Sequence, residues 1–183
     1  MTEFHDLLER NREFASTTDL RLLEMPDPAR MPERMPLVLT CVDPRVEPAG
    51  FLGLRTGDAG VLRNVGGRVD DRIVEDIAYL AMRLGVRLDV AVIHHTQCGS
   101  GLLADHRFRG AFAERTGADE EVLAARAVTE PSRTVRHDVR RLLASPLITG
   151  DAVATASGHV LKLETGLVET IIAAAAPGEP ASD

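Results

Sequence analysis

The sequence predicts an α/β fold in which a mostly parallel β-sheet core is flanked by helices and preceded by an N-terminal helical arm. The first observation is a series of short, β-rich apolar runs at residues 37–42, 60–63 and 88–93. The second is a helical pattern at 71–84, which gives the strand, helix, strand order of parallel β-α-β units covered on both sides. The third is a proline-rich stretch at 24–36, which separates an N-terminal helix from these elements.

The N-terminal segment is predicted to be an amphipathic helix followed by an irregular linker. Residues 3–15 carry apolar side chains at roughly helical spacing, namely Phe4, Leu7, Leu8, Phe14 and Ala15. Residues 24–36 contain four prolines, each of which restricts its own backbone and that of the preceding residue. We therefore expect residues 1–35 to form a helical arm and linker, residues 36–172 a single α/β domain, and residues 173–183 a disordered tail.

Periodicity and breaker residues predict the other elements of the domain. The helix at 71–84 has a single apolar face and Gly85 as its stop. Further helices are predicted at 108–127 and 133–144. The stretch 152–171 predicts a strand, a turn at Thr165-Gly166 and a second short strand.

Length, composition and charge exclude several classes of function. The 183 residues suffice for one domain with a sizeable core, and 44% hydrophobic and 27% charged residues are ordinary values for a globular protein. A net charge of −7 argues against general binding to nucleic acid or to anionic membrane surfaces. No apolar run approaches the length of a membrane span, and the N-terminus lacks the order of a signal peptide. We expect a cytoplasmic protein with a small-molecule substrate.

The two cysteines lie at corresponding places in the predicted sheet. Cys41 ends the first apolar run, Cys98 follows the third, and His95 precedes Cys98 by three residues. Ligands of open parallel sheets bind at the carboxyl ends of the strands, and two thiolates with one imidazole suit Zn²⁺. Three protein ligands would leave a fourth position open, as in catalytic zinc sites. Spacing alone leaves another interpretation open, because isolated cysteines are often small buried hydrophobic residues.

Three motifs surround these residues in a recognisable order. They are C-V-D-P-R at 41–45, R-N-V-G-G at 63–67 and H-H-T-Q-C-G at 94–99. This combination resembles the β-class carbonic anhydrases of the small bacterial type, which carry C-x-D-[S/A]-R, an R-N-A-G-style segment and H-x-x-C-G in this order. The stretch G-H-V-L-K-L-E-T-G is similar to the closing strands of that family.

The resemblance implies a β-carbonic anhydrase-like fold and a catalytic zinc site, with one Zn²⁺ per subunit held by Cys41, His95 and Cys98 in the domain at 36–172. It assigns Asp43 and Arg45 as a catalytic dyad that orients a zinc-bound hydroxide for the reversible hydration of CO2 to bicarbonate and a proton. Zinc lowers the pKa of its bound water toward neutrality, and Arg45 can hold the carboxylate bidentately. An Asp-x-Arg pair could also be a plain surface ion pair, which would be the favoured interpretation without the flanking cysteine.

The resemblance also implies a homodimer or higher homo-oligomer, with the N-terminal helix laid across the partner. In a second state of the family, the aspartate leaves its arginine and becomes the fourth zinc ligand. Two alternative functions stay open. One is hydrolysis of carbonyl sulfide or carbon disulfide with the same ligands, and the other is a non-catalytic, zinc-stabilised regulatory or binding protein.

Glycines and two departures from the family pattern complete the candidate site. Gly66, Gly67 and Gly99 could let the backbone approach the substrate, although a tight turn is an equally good reason for paired glycines. Pro44 replaces the small residue usual between Asp and Arg, and either stiffens the dyad or misaligns it. Gln97 replaces the acidic residue common before the second cysteine and removes a negative charge near the metal.

Overall fold

The computed structural model describes residues 2–24 and 26–179. The chain forms two compact units, Met1–Arg30 and Met31–Asp183. The first contains helix α1 (Phe4–Thr17) and two short 3-10 turns, Leu20–Leu23 and Pro28–Arg30. Helix α1 begins with a capping box between Glu3 and Asp6, and it has no buried residue.

The second unit is built on one five-stranded sheet with the order β2-β1-β3-β4-β5. The strands are β1 (Arg34–Cys41), β2 (Gly60–Asn64), β3 (Arg87–His95), β4 (Val153–Lys162) and β5 (Leu167–Ala175). The first four pair in parallel and β5 pairs antiparallel with β4. This arrangement confirms the predicted α/β class with a mostly parallel sheet.

Five helices accompany the sheet: α2 (Pro48–Phe51), α3 (Asp71–Leu84), α4 (His106–Thr116), α5 (Glu120–Ala125) and α6 (Pro131–Ala144). Helix α3 has the predicted bounds because both ends carry caps. Asp70 accepts a hydrogen bond from the amide of Ile73, and Gly85 takes the left-handed conformation with φ 66°.

The main core lies between one face of the sheet and helices α3 and α6. It contains Leu37 and Leu39 of β1, Ile77 of α3 and Val139 of α6. A smaller cluster contains Val38, Ile93 and Leu161 at the intervening strand positions, which point to the opposite face, together with Val46 from the loop after β1. The strands are thus apolar on both faces, as the uninterrupted runs in the sequence predicted.

Three predicted elements differ from the observed ones. Strand β1 begins at Arg34, inside the stretch 24–36 that was predicted to be irregular. The helix predicted at 108–127 is divided into α4 and α5, because Gly117 ends the first helix with φ 72° and Asp119 caps the second. Strand β5 continues to Ala175 with Ile172 and Ala175 buried, so the strand includes the start of the tail predicted at 173–183. The last part of that prediction, residues 180–183, lies outside the described residues.

The sheet brings three strand ends to one edge. Strand β1 ends at Cys41, which lies beside Asn64 at the end of β2, and β3 ends at His95. Parallel pairing requires the carboxyl ends of these strands to meet at the same edge. Among the described residues, no helix is long and apolar enough to cross a membrane.

Candidate metal centre

The three predicted ligands lie together at this edge of the sheet. One ligand atom from each of Cys41, His95 and Cys98 lies within 4.8 Å of the other two. The two sulfur atoms are 3.9 Å apart, and both cysteines are free thiols. Cys41 and His95 are buried and Cys98 is partly buried. This donor set could hold a metal ion.

The His95 ring is oriented as a metal ligand requires. Its Nδ1 lies 2.8 Å from the carbonyl oxygen of Thr96, which can only accept, so Nδ1 carries the hydrogen. The lone pair is therefore on Nε2, which is buried and has no hydrogen-bond partner among the described residues. A buried polar atom without a partner is costly unless a ligand satisfies it. The histidine and two sulfurs therefore fit the zinc ion that the donor chemistry favours.

Neighbouring donors stabilise negative charge on the sulfurs. The amide of Gly66 donates to Cys41 Sγ at 3.4 Å, and Ser100 Oγ lies 3.1 Å from Cys98 Sγ. The hydrogen bond between the two sulfurs lowers the pKa of Cys98 and raises that of Cys41, as expected when two thiols share one proton. A cation placed between them would favour the thiolate form of both.

Asp43 and Arg45 form a bidentate ion pair next to the cluster. Arg45 Nε donates to Asp43 Oδ1 at 3.0 Å and Nη2 donates to Oδ2 at 2.7 Å. The Arg45 backbone amide donates to Oδ1 as well, at 3.0 Å. The hydrogen bonds from the Arg45 side chain lower the pKa of Asp43 to about 2. The carboxylate is therefore ionised at neutral pH, and it is not one of the clustered ligand atoms.

Pro44 is compatible with this pair. The amide of Val46 donates to the carbonyl oxygen of Asp43 at 2.9 Å, which closes a turn with Pro44 as its second residue. Proline is favoured at that position because its fixed φ matches the turn. The observed geometry supports stiffening of the dyad rather than misalignment.

Gly66 and Gly67 pack against the ligand strand. Both have positive φ, 87° and 65°, which glycine adopts without strain. A Cβ at Gly67 would lie 2.9 Å from the carbonyl carbon of Thr40 and 3.0 Å from the Cys41 nitrogen. Close approach to this strand accounts for Gly67, whereas a Cβ at Gly66 would lie 3.0 Å from Ser100 Oγ and 3.3 Å from Val128 Cγ2. Gly99 is exposed with open space around it. Substrate contact by any of the three stays a prediction.

Arg63 was not predicted as a site residue, although it is the first residue of the R-N-V-G-G segment at 63–67. The Arg63 guanidinium donates to three carbonyl oxygens around the dyad: those of Cys41 at 3.0 Å, Asp43 at 2.9 Å and Val46 at 2.7 Å. It therefore holds the dyad turn against the end of β1. An arginine at the end of the strand predicted to lie beside Cys41 was a usable signal.

A buried ion pair beneath the glycine turn was also missed. Arg68 donates to both oxygens of Asp138 at 2.7 and 3.0 Å, and the Val69 amide and His94 Nε2 each lie 3.2 Å from Oδ2. Asp138 and His94 are fully buried, so His94 faces this network and not the solvent. The signal was an aspartate on the apolar face of the helix predicted at 133–144.

Comparison with known proteins assigns the family. The sequence profile described as carbonic anhydrase matches residues 36–145, more than half of the chain. β-Carbonic anhydrase 1 of Mycobacterium tuberculosis is 28% identical over 171 residues, which cover 93% of this chain and 99% of that protein. Carbon disulfide hydrolase of Saccharolobus solfataricus is 39% identical over 62 residues, 34% of this chain and 30% of that protein.

Solved structures agree with the sequence matches. The crystal structure of a carbonic anhydrase from Streptococcus mutans superposes with a TM-score of 0.72 at 28% identity, covering 93% of this chain and 98% of that one. Carbonic anhydrase from Glaciozyma antarctica gives a TM-score of 0.67 at 28% identity, covering 90% and 94%. The chain belongs to the carbonic anhydrase family, in its β class. The predicted family, enzyme class (carbonate dehydratase, a lyase) and zinc cofactor are thereby confirmed.

Proposed function

We propose that this protein catalyses the reversible hydration of CO2 to bicarbonate and a proton, with Zn²⁺ held by Cys41, His95 and Cys98. The observation that carries the proposal is the buried His95 Nε2, which has no hydrogen-bond partner within residues 2–24 and 26–179 and lies beside two sulfurs and an ionised Asp43. Zinc bound there would lower the pKa of a water molecule to about 7 and so supply a nucleophile at neutral pH.

In this proposal Asp43 orients the nucleophile. An ionised carboxylate accepts hydrogen bonds and donates none, so it binds the hydrogen of the attacking oxygen and leaves a lone pair for CO2. Arg45 keeps Asp43 in this state and in this place through two parallel hydrogen bonds. Arg45 is half exposed, and a proton released beside it has a short route to buffer.

Stopped-flow measurement of CO2 hydration by the zinc-loaded protein tests the proposal. We expect Asp43→Ala to lower kcat/KM by about 100-fold, the lower range for loss of a positioned acid-base group, with the zinc content unchanged. Asp76→Ala is the matched control, because Asp76 is an acidic residue on α3 that pairs with Arg72 on the same helix. Absence of CO2 hydration above the buffer rate between about pH 7 and 9 would overturn the proposal.

Carbon disulfide and carbonyl sulfide are the second candidate substrates, because a carbon disulfide hydrolase matches 62 residues of this chain. The match to a β-carbonic anhydrase extends over 171 residues, which favours CO2. Sulfide release, measured on the same zinc-loaded preparation, separates the two. A non-catalytic role would require a broken dyad or a closed fourth position, and the Asp43–Arg45 pair is formed.

We also propose that the protein is a homodimer or larger homo-oligomer in the cytoplasm, with residues 1–35 as an arm and 36–172 as the catalytic domain. Support comes from α1, whose apolar side chains Phe4 and Leu8 are 74% and 47% exposed. Phe4→Gln with Leu8→Gln should lower the mass measured by light scattering, whereas Arg10→Gln on the same helix should not. An unchanged mass in both would contradict the proposed arm.

A further inference from the structure

The two residues between His95 and Cys98 are held by one carboxylate from a distant turn. Glu164 lies between β4 and β5 and accepts a hydrogen bond from Thr96 Oγ1 at 2.9 Å and from Gln97 Nε2 at 2.9 Å. Its own backbone amide, Gln97 and Thr96 together lower the pKa of Glu164, so it is ionised at neutral pH. Each of its two oxygens accepts a hydrogen bond from one residue of this segment, which we call the spacer (Thr96–Gln97).

The spacer has an uncommon backbone conformation. Within residues 2–24 and 26–179, Gln97 is the one non-glycine residue with positive φ, 56°. This region is unfavourable for residues with a Cβ and persists only where surrounding contacts hold it. The contacts of Glu164 with both spacer side chains supply such a restraint. A second restraint is the hydrogen bond that the Thr96 amide donates to the carbonyl oxygen of Leu161 at 3.1 Å.

The conformation of Gln97 has a direct effect on the dyad. In this conformation its carbonyl oxygen accepts a hydrogen bond from Arg45 Nη2 at 3.0 Å. The same nitrogen donates to Asp43 Oδ2 at 2.7 Å. A rotation of the spacer would therefore move or release the guanidinium that holds Asp43.

We propose that Glu164 is a positioning residue for the active site, which acts through Gln97 and Arg45 on the orientation of Asp43. This inference rests on the proposed role of the dyad in CO2 hydration. It also explains why an amide at position 97 suits this chain. Gln97 can donate to the Glu164 carboxylate, whereas an acidic side chain there would repel it.

A charge exchange between the two positions tests the proposal. Gln97→Glu places two carboxylates together, and Glu164→Ala removes both hydrogen bonds to the spacer. Gln97→Glu combined with Glu164→Gln restores them, because the new amide donates to position 97 and its oxygen still accepts from Thr96. Glu169→Gln is the control, since Glu169 is an exposed acid on β5 that pairs with Lys162.

Three measurements are made on each full-length variant: kcat for CO2 hydration, the zinc dissociation constant, and the visible spectrum after Co²⁺ substitution. We expect Gln97→Glu and Glu164→Ala each to lower kcat and weaken zinc binding by about tenfold and to shift the Co²⁺ bands. The exchanged pair and Glu169→Gln should match the parent within about twofold. If Glu164 only stabilised the fold, its loss would lower the melting temperature, and the exchanged pair would not recover kcat, zinc affinity and the Co²⁺ spectrum together.

Single variants that match the parent in all three measurements would overturn the proposal. An exchanged pair that loses as much kcat and zinc affinity as Gln97→Glu alone would overturn it too. If a single variant does not fold, recovery of folding and of the Co²⁺ spectrum in the exchanged pair still supports it, and failure to recover refutes it. If the parent does not hydrate CO2, the proposed function fails, while zinc affinity and the Co²⁺ spectrum continue to decide the role of Glu164.

Discussion

Gly67→Ala tests whether the glycine turn positions the ligand strand. Gly67 has φ 65° and its missing Cβ would stand 2.9 Å from the Thr40 carbonyl carbon and 3.0 Å from the Cys41 nitrogen. Gly85 is a matched control, because its φ is 66° and a Cβ there would meet no atom within 4 Å. The two substitutions therefore impose the same backbone strain and differ in their contact with β1.

The expected loss of stability follows from the backbone strain and from the contact with β1. An alanine in the left-handed region costs about 1 to 2 kcal/mol, and both variants bear this cost. At Gly67 the methyl group meets backbone atoms of a central strand, which cannot rotate away, and overpacking adds about 1 to 3 kcal/mol. For a protein of this size the melting temperature should fall by about 3 °C for Gly85→Ala and about 10 °C for Gly67→Ala.

Urea unfolding of the zinc-free protein measures the free energies, and competition with a chromophoric chelator measures zinc affinity. Gly67→Ala should also weaken zinc binding by about tenfold, because the overlap displaces Cys41, whereas Gly85→Ala should leave it unchanged. Equal losses of stability in the two variants, with equal zinc affinity, would refute the inferred packing of the turn on the ligand strand.

Three further predictions concern other parts of the site and core. Ser100→Ala should weaken zinc binding by about tenfold, because it removes the hydroxyl 3.1 Å from Cys98 Sγ. Gly158→Ala should lower the free energy of unfolding by about 2 kcal/mol without changing zinc affinity, because its Cβ would lie 2.4 Å from Ile172 Cγ2. Burial raises the pKa of Asp138, but hydrogen bonds from His94 and Arg68 outweigh it and hold the pKa below the ordinary range of an aspartate. The stability that Asp138 contributes is therefore present above about pH 4 and is lost as the pH falls further. Asp138→Asn should be less stable than the parent at neutral pH, and should lose less stability on acidification.

Each of these predictions has a contradicting result. Unchanged zinc affinity in Ser100→Ala would mean that the hydroxyl does not stabilise the thiolate. Ser145→Ala, at the C-terminal cap of α6, is the control. Full stability of Gly158→Ala would show that the Ile172 side chain on β5 can move aside without cost. If the acid unfolding curves of Asp138→Asn and the parent are parallel, both measured zinc-free, the buried ion pair does not contribute to the pH dependence of stability.

Elements with their own start and stop residues were predictable from the sequence. Helix α3 has the bounds that Gly85 and the apolar periodicity predicted, because its caps are local. The helix predicted at 108–127 was read as continuous, although Gly117 and Asp119 are the ordinary cap residues at which it divides. There the apolar spacing was given more weight than the local cap chemistry.

Contacts between distant segments account for what the sequence did not reveal at the site. Arg68 and Asp138 are 70 residues apart, and Gln97 and Glu164 are 67 apart. Each of these residues is unremarkable in its own segment apart from the aspartate on an apolar helix face. Only the register of β3 with β4 and the packing of α6 bring the partners within hydrogen-bond distance.

The sequence by itself determined the donor set and its location. Two cysteines and a histidine at the ends of two predicted strands indicated a metal site, and the motifs at 41–45, 63–67 and 94–99 carried the resemblance to the β-carbonic anhydrases that predicted a zinc enzyme. Only the tertiary structure decided the state of that site. It gives His95 Nε2 no hydrogen-bond partner in the described part of the chain, places Pro44 where its ring fits a turn, and pairs Asp43 with Arg45 rather than with the ligand atoms. These features depend on backbone angles and on contacts across the sheet edge, and residue types and spacings do not specify either.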